Sequence, residues 1–132
     1  MDELSLVIPA KQEPNSLPMV IKELDNFKLK KFVVLKDTDK ETIESVKKLD
    51  CEIIFQSGLG YGNAIRQGIS KVKTKYTAIY YADGSTDPKY LSHMVKKITD
   101  EKNSIIFGSR YMKGSGSYDD DIITKIGNFI FT

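Results

Sequence analysis

An alternation of two kinds of segment constrains this chain more than any single motif. Short apolar runs rich in β-formers stand at LSLVI (4–8), FVVL (32–35), EIIF (52–55), TAIYY (77–81) and SIIFG (104–108). They are nearly continuous in apolar character, as strands covered on both faces are. Helical periodicity fills the intervals. Leu17, Val20, Ile21, Leu24 and Phe27 keep the 3.6-residue spacing, with Ser16 as the expected N-cap and Pro18 in the first turn. Ile43, Val46 and Leu49 repeat it, then Ala64, Ile65, Gly68, Ile69 and Val72, then Tyr90, Leu91, Met94, Val95 and Ile98. Ile122, Ile123, Ile126, Phe129 and Ile130 close the series.

The order β-α, five times over, predicts an α/β fold: a mostly parallel sheet with helices on both faces. Right-handed crossovers then gather the C-terminal ends of all strands on one edge, where open sheets of this kind bind ligands. The loops at that edge are PAKQEPNS, KDTDKE, QSGLGYGN, ADGSTDP and SRYMKGSGSYDDD. With 132 residues a single domain is expected.

Composition narrows the partners. Twenty basic against 18 acidic residues leave a net charge of +2, which argues against nucleic acid. Cys51 has no second cysteine to pair with and begins an apolar run, so it reads as buried filler. No apolar run reaches the roughly 18 residues that cross a bilayer. The opening MDELSLVIPA does not read as a secretory signal. His93 falls within a helical pattern and reads as a surface residue.

The edge loops offer chemistry. QSGLGYGNAI follows the third strand, and its glycines let backbone approach an anion or simply turn the chain. It lacks the GK[ST] of a P-loop, and Asn63 stands where a dinucleotide fingerprint has its last glycine. In ADGSTDP, Asp83 at a strand end can hold Mg²⁺ or Mn²⁺ against phosphate oxygens, whereas Asp87 reads as a helix cap before Pro88. A metal clamp of this type offers two acids one residue apart, and Tyr81 occupies the first slot. Arg110 and Lys113 stand on a glycine-rich loop, and the arginine fork suits a diphosphate. Asp119 to Asp121 read as acids at a helix N-terminus.

Taken in order, these segments resemble the family-2 glycosyltransferases. LSLVIPAKQEPNSLP resembles V-I-P-A-x-N-E-x-x-x-L-P; FVVLKDTDKET stands where that family has a strand ending in D-D-G-S-T-D-x-T. GLGYGNAIRQGI resembles G-x-G-x-A-x-x-x-G-I, YYADGSTDPKYL resembles D-A-D-G-x-x-x-P-x-x-L, and IIFGSRYMKGSG resembles V-x-G-S-R-Y-x-x-G. The nearest likeness is to dolichol-phosphate-mannose synthase-like and kindred polyprenyl-phosphate sugar transferases.

The resemblance implies the GT-A fold, a Rossmann-like α/β sandwich, and transfer of a sugar from a nucleotide-diphosphate sugar to an acceptor, a polyprenyl phosphate or glycan among the candidates. It implies that Pro9, Lys11 and Glu13 lie along the nucleotide and that Asp37 faces the base or ribose. It implies that Ala82 and Asp83 belong to the donor site, Asp83 binding Mg²⁺ or Mn²⁺ as the catalytic acid of the motif with Ser85 adding a metal contact. Arg110 would pair with the diphosphate. A cytoplasmic location, peripheral to the inner membrane face for a lipid acceptor, is the matching expectation. Relative to the family the domain is expected to be incomplete at its C-terminal side, with the apolar last helix available for a homodimer.

The departures are Tyr81 for the first acid of D-A-D, Lys36 for the first acid of the D-D pair, and Gln12 for the usual Asn. Tyr81 and Lys36 keep a second reading open, a catalytically silent nucleotide-sugar-binding or interaction domain, which would bind nucleotide without transferring sugar. A nucleotidyltransferase or a nicotinamide-dependent dehydrogenase fits less well, because PAKQEPNS contains no glycine.

Overall fold

In the computed structural model residues 3–101 and 105–109 are described. Arg110, Lys113, the acids at 119–121, and the last helical pattern with the dimer expected of it lie outside them. The elements run β1 (Leu4–Pro9), α1 (Ser16–Leu24), a 3-10 turn (Asp25–Phe27), β2 (Lys30–Leu35), α2 (Lys40–Val46), β3 (Glu52–Phe55), α3 (Tyr61–Ile69), β4 (Tyr76–Ile79) and α4 (Lys89–Asp100).

The four strands form a parallel sheet in the order β3-β2-β1-β4. From β1 to β3 the chain steps one way; it then returns across the sheet to place β4 on the far side of β1. With right-handed crossovers the return helix must lie on the opposite face from the first two. The core divides accordingly. Leu4, Leu6 and Ile8 of β1 and Val33 and Leu35 of β2 pack with Leu17, Val20, Ile21 and Leu24 of α1, Val46 of α2 and Leu91 of α4. The alternate residues Val7, Phe32, Val34 and Ile54 pack with Ala64 of α3. The reversal of strand order between β1 and β4 is a topological switch point, where sheets of this kind open a crevice.

Two expectations are corrected. Ser16 does not cap α1: it is the first helical residue, and its hydroxyl donates to the Glu13 carboxylate. Nor is the fifth strand formed among the described residues. Residues 105–109 carry no strand, and Ile105 and Phe107 are exposed. Strand propensity is largely a matter of packing against neighbours, and these two apolar side chains are not packed into either part of the core. His93 is exposed. Cys51 is half-buried against the first core, its thiol pushed up by that burial.

Lys31 was not foreseen. It follows the alternation of Val33 and Leu35 into the α1–α2 face, its side chain fully buried, with Nζ 2.9 Å from both Asp25 Oδ1 and Asp50 Oδ2. Burial pulls its pKa down, but the two carboxylates more than reverse this and hold it above the ordinary lysine range. The sign follows: the stabilisation is complete below the unfolded lysine pKa of about 10.4 and is lost as pH rises through the higher folded value. Replacing both partners, Asp25→Asn with Asp50→Asn, strands a buried ammonium and is expected to cost roughly 3 kcal/mol in urea unfolding. Lys31→Met should stay within about 1 kcal/mol of wild type. An unaltered midpoint in the double variant would show that the carboxylates contribute nothing.

Candidate functional site

At the C-terminal edge, on the α3 face, a cleft of ≈ 730 Å³ opens, a size suited to a small-molecule ligand. Three loops wall it. The loop after β1 supplies Pro9, Ala10, Lys11 and Gln12; the loop after β2 supplies Lys36, Thr38 and Asp39; the glycine loop supplies Gln56, Leu59, Gly60 and Tyr61. Strand alternation explains the membership. Pro9 continues the Ser5–Val7 side of β1, and Lys36 continues the Phe32–Val34 side of β2, both towards α3.

The first loop is tied to the second by long-range bonds. Gln12 has φ +59°, a left-handed backbone, and its amide donates to Asp39 Oδ2 at 2.7 Å. The Glu13 amide donates to the buried Thr42 hydroxyl at 3.0 Å. Asp39 also caps α2, accepting from the Thr42 amide at 3.4 Å. Burial would raise its pKa, but the Gln12 amide and Thr42 hold the carboxyl below the usual range. One carboxylate thus fixes two walls of the cleft.

The glycine loop is braced by amide side chains. Gln56 Nε2 donates to the Gly60 carbonyl at 2.8 Å and to Asn63 Oδ1 at 3.2 Å, and Gln67 Nε2 donates to Asn63 Oδ1 at 2.8 Å. Asn63, in the slot of a fingerprint glycine, is therefore a structural brace. Gly60 takes φ +84° with ψ 160°, a region closed to side-chain-bearing residues, and this bend delivers Tyr61 to the cleft.

Tyr80 and Tyr81 part company at the end of β4. The Tyr80 amide extends the ladder to Val7, its ring is buried in the first core, and its hydroxyl donates to the Thr86 carbonyl at 2.6 Å. Burial first, then the carboxylates of Glu23 and Asp87, raise its pKa, so it stays a neutral brace for the loop. Tyr81 is exposed on the other side. Burial, then Tyr81 and Asp83, push the Tyr61 phenol up; neither Tyr81 nor Asp83 is among the residues that line the cleft. Asp83 Oδ1 accepts from the Ser85 amide at 2.9 Å, making a compact turn. Asp87 takes the expected capping part, accepting from the Lys89 amide at 3.0 Å.

Of the residues marked out in the sequence, Pro9 and Lys11 line the cleft. Glu13 is half-buried behind it, bonded to Ser16. Asp37 is exposed and is not among the lining residues, whereas Lys36 and Asp39 are. Ala82 is buried beneath the β4 loop, and Asp83 and Ser85 are exposed upon it. Asp39 and Tyr61 were missed. The signal available for Asp39 was its place just ahead of a helical pattern, where a cap belongs.

The fit to a divalent ion can be judged from these donors. Among the described residues no group of three or more His, Cys, Asp or Glu side chains gathers to hold a metal. Asp83 stands with a phenol where a second acid would be. Mg²⁺ is commonly held by one or two carboxylates together with substrate phosphates and water. The residues therefore fit an ion that arrives with a diphosphate, and do not fit one caged by protein alone.

A parallel sheet covered on both faces, with its cleft outside the strand ends beside the switch point, defines the Rossmann-like α/β class. More narrowly, the chain belongs to glycosyl transferase family 2, matching it over residues 5–130, and the fold is that family's GT-A type. It is similar to an uncharacterized protein of Methanocaldococcus jannaschii, 29% identical over 133 residues, 97% of this chain and 55% of that one. It is also similar to uncharacterized glycosyltransferases of Mycobacterium bovis and Mycobacterium tuberculosis, each 26% identical over 109 residues, covering 83% of this chain and 49% of theirs. The chain spans about half the length of these curated relatives. Among the described residues no helix is long and apolar enough to cross a membrane.

Proposed function

We propose that this chain forms the donor-binding part of a glycosyltransferase that takes a nucleotide-diphosphate sugar and moves the sugar to an acceptor hydroxyl or phosphate, a lipid-linked one included. The observation that carries this reading is the coincidence of the cleft with the loops that bear the family's motifs: Pro9 and Lys11 on one wall, Lys36 and Asp39 on the second, and the glycine loop on the third.

In the direct displacement proposed, the acceptor oxygen bonds to the anomeric carbon, the bond to the diphosphate oxygen breaks, and its electron pair leaves with the nucleoside diphosphate. The acceptor's proton passes to a base. A divalent ion at Asp83 would neutralise charge on the departing diphosphate. The tether from Asp39 to Gln12 holds the first two walls in register, and the Gly60 bend sets the third, so the site is formed before the donor arrives. A cytoplasmic site, where nucleotide sugars are made, suits this reading.

Tyr81 in the acid slot favours a second reading, a domain that binds the nucleotide sugar without transferring it. Calorimetric titration with UDP and GDP, each in Mn²⁺ and in EDTA, tests what both readings share. One diphosphate is expected to bind, more tightly with Mn²⁺, and the preferred base would name the donor class. Failure of both nucleotides in both buffers would overturn the donor-site reading. Sugar release from the matching nucleotide sugar, assayed with acceptor, separates the transferase from the silent binder.

A further inference from the structure

We propose that Lys36 is itself a donor-binding residue, its ammonium taking the anionic diphosphate part of the donor without a divalent ion. This rests on the donor-site reading above and concerns a position where the chain departs from its family's acid.

Three observations carry it. Lys36 directly follows β2, on the side that faces α3, and lines the cleft as a half-buried residue. Among the described residues its ammonium has no carboxylate within ion-pair distance: the ion pairs formed are those of Lys31, Lys47, Lys89 and Lys97. Of the carboxylates lining the cleft, Asp39 is engaged by two backbone amides, Gln12 to Oδ2 and Thr42 to Oδ1. Lys11 and Lys40 line the same cleft and likewise lack an ion-pair partner there, against Asp39 and Glu41 as the lining acids. An ammonium in the cleft wall without a carboxylate partner leaves its charge available to an anion entering the cleft. An acid at this position would repel a diphosphate; the lysine attracts it. The cleft therefore carries its own cation on the β2 wall and depends less on an ion from solution.

The test is titration of the chain with the preferred nucleoside diphosphate and with its bare nucleoside, in EDTA, for wild type, Lys36→Ala and Lys36→Arg. Diphosphate affinity in EDTA is expected to fall roughly 10- to 100-fold in Lys36→Ala, the scale of a lost charged hydrogen bond. Lys36→Arg should recover most of it, and nucleoside affinity should be the same in all three. Equal diphosphate affinity in wild type and Lys36→Ala overturns the role of Lys36 while leaving the donor site standing. A parallel loss of nucleoside affinity also overturns it, as a general disturbance of the cleft. Wild type that binds no diphosphate in EDTA but does so in Mn²⁺ refutes the cation's independence alone. Absence of binding in both buffers refutes the donor reading as well.

Discussion

Gly68→Val should lower the stability of this domain by about 3 kcal/mol and, with it, the affinity of the cleft. Gly68 lies in α3 where the helix crosses β1 and β2. A Cβ built there would stand 2.3 Å from Val7 Cγ1, 3.2 Å from Val7 Cγ2 and 3.0 Å from Val34 Cγ2. Both valines are fully buried, and a close-packed core has nowhere to send them. Overpacking of this kind typically costs about 1–3 kcal/mol, and a β-branched side chain stands at the upper end. Even Gly68→Ala, which gains about 1 kcal/mol of helix propensity, is expected to be destabilising overall.

Relief would come by lifting α3 from the sheet, and α3 begins at the Tyr61 wall of the cleft, so binding should weaken along with stability. Gly62→Ala is the control. It lies in the same helix with nothing within 4 Å of the added carbon, and should be neutral or slightly stabilising. Urea unfolding of the three variants decides it. A Gly68→Ala protein as stable as Gly62→Ala would show that the helix can shift freely. The final glycine of the resemblance to G-x-G-x-A-x-x-x-G-I is thus assigned a packing duty, about two turns from the Tyr61 wall of the cleft.

The sheet was most legible in the sequence at its central strands, because β1 and β2 are buried on both faces. β1, β2 and β3 fall on the apolar runs named in advance to within two residues, and β4 is shifted by one residue at its start. Its end was overread: of Tyr80 and Tyr81 only Tyr80 turns inward, and the strand stops at Ile79. Periodicity cannot see that a tyrosine is braced by a carbonyl six residues on. The gathering of the loops on one edge was legible too, since it follows from handedness and strand order alone.

The making of the cleft wall was less so. The bond from the Gln12 amide to Asp39 joins residues 27 apart, and nothing local in PAKQEP or KDTDKE announces it. Family likeness drew attention to Asp37, whereas the backbone turns Lys36 and Asp39 to the cleft.

Asp83→Asn should erase the part of nucleotide binding that depends on Mn²⁺ and leave the part measured in EDTA. The substitution is nearly isosteric, and Asn Oδ1 can still accept the Ser85 amide that Asp83 accepts at 2.9 Å, so the turn is retained and only charge is removed. Loss of a residue that merely orients a metal ligand costs about 10- to 100-fold in metal affinity, and loss of the ligand itself no less.

Tyr81→Asp is the reciprocal experiment. It returns an acid to the position two residues before Asp83. Without metal, two carboxylates at one strand end repel each other, one of them gaining a raised pKa, so the variant should be slightly less stable than wild type in EDTA near neutral pH. With Mn²⁺ that repulsion becomes a second ligand, and diphosphate affinity should rise about tenfold. Asp83→Asn added to Tyr81→Asp should remove most of the gain.

Should Asp83→Asn bind as tightly as wild type in Mn²⁺, Asp83 has no part in the site, and the turn at the end of β4 is only a turn. Should the metal-dependent part vanish while Lys36→Ala removes the metal-independent part, the two wall positions divide the diphosphate between them. The cleft would then work with one carboxylate where its family uses two, because a lysine has taken up the remainder of the charge.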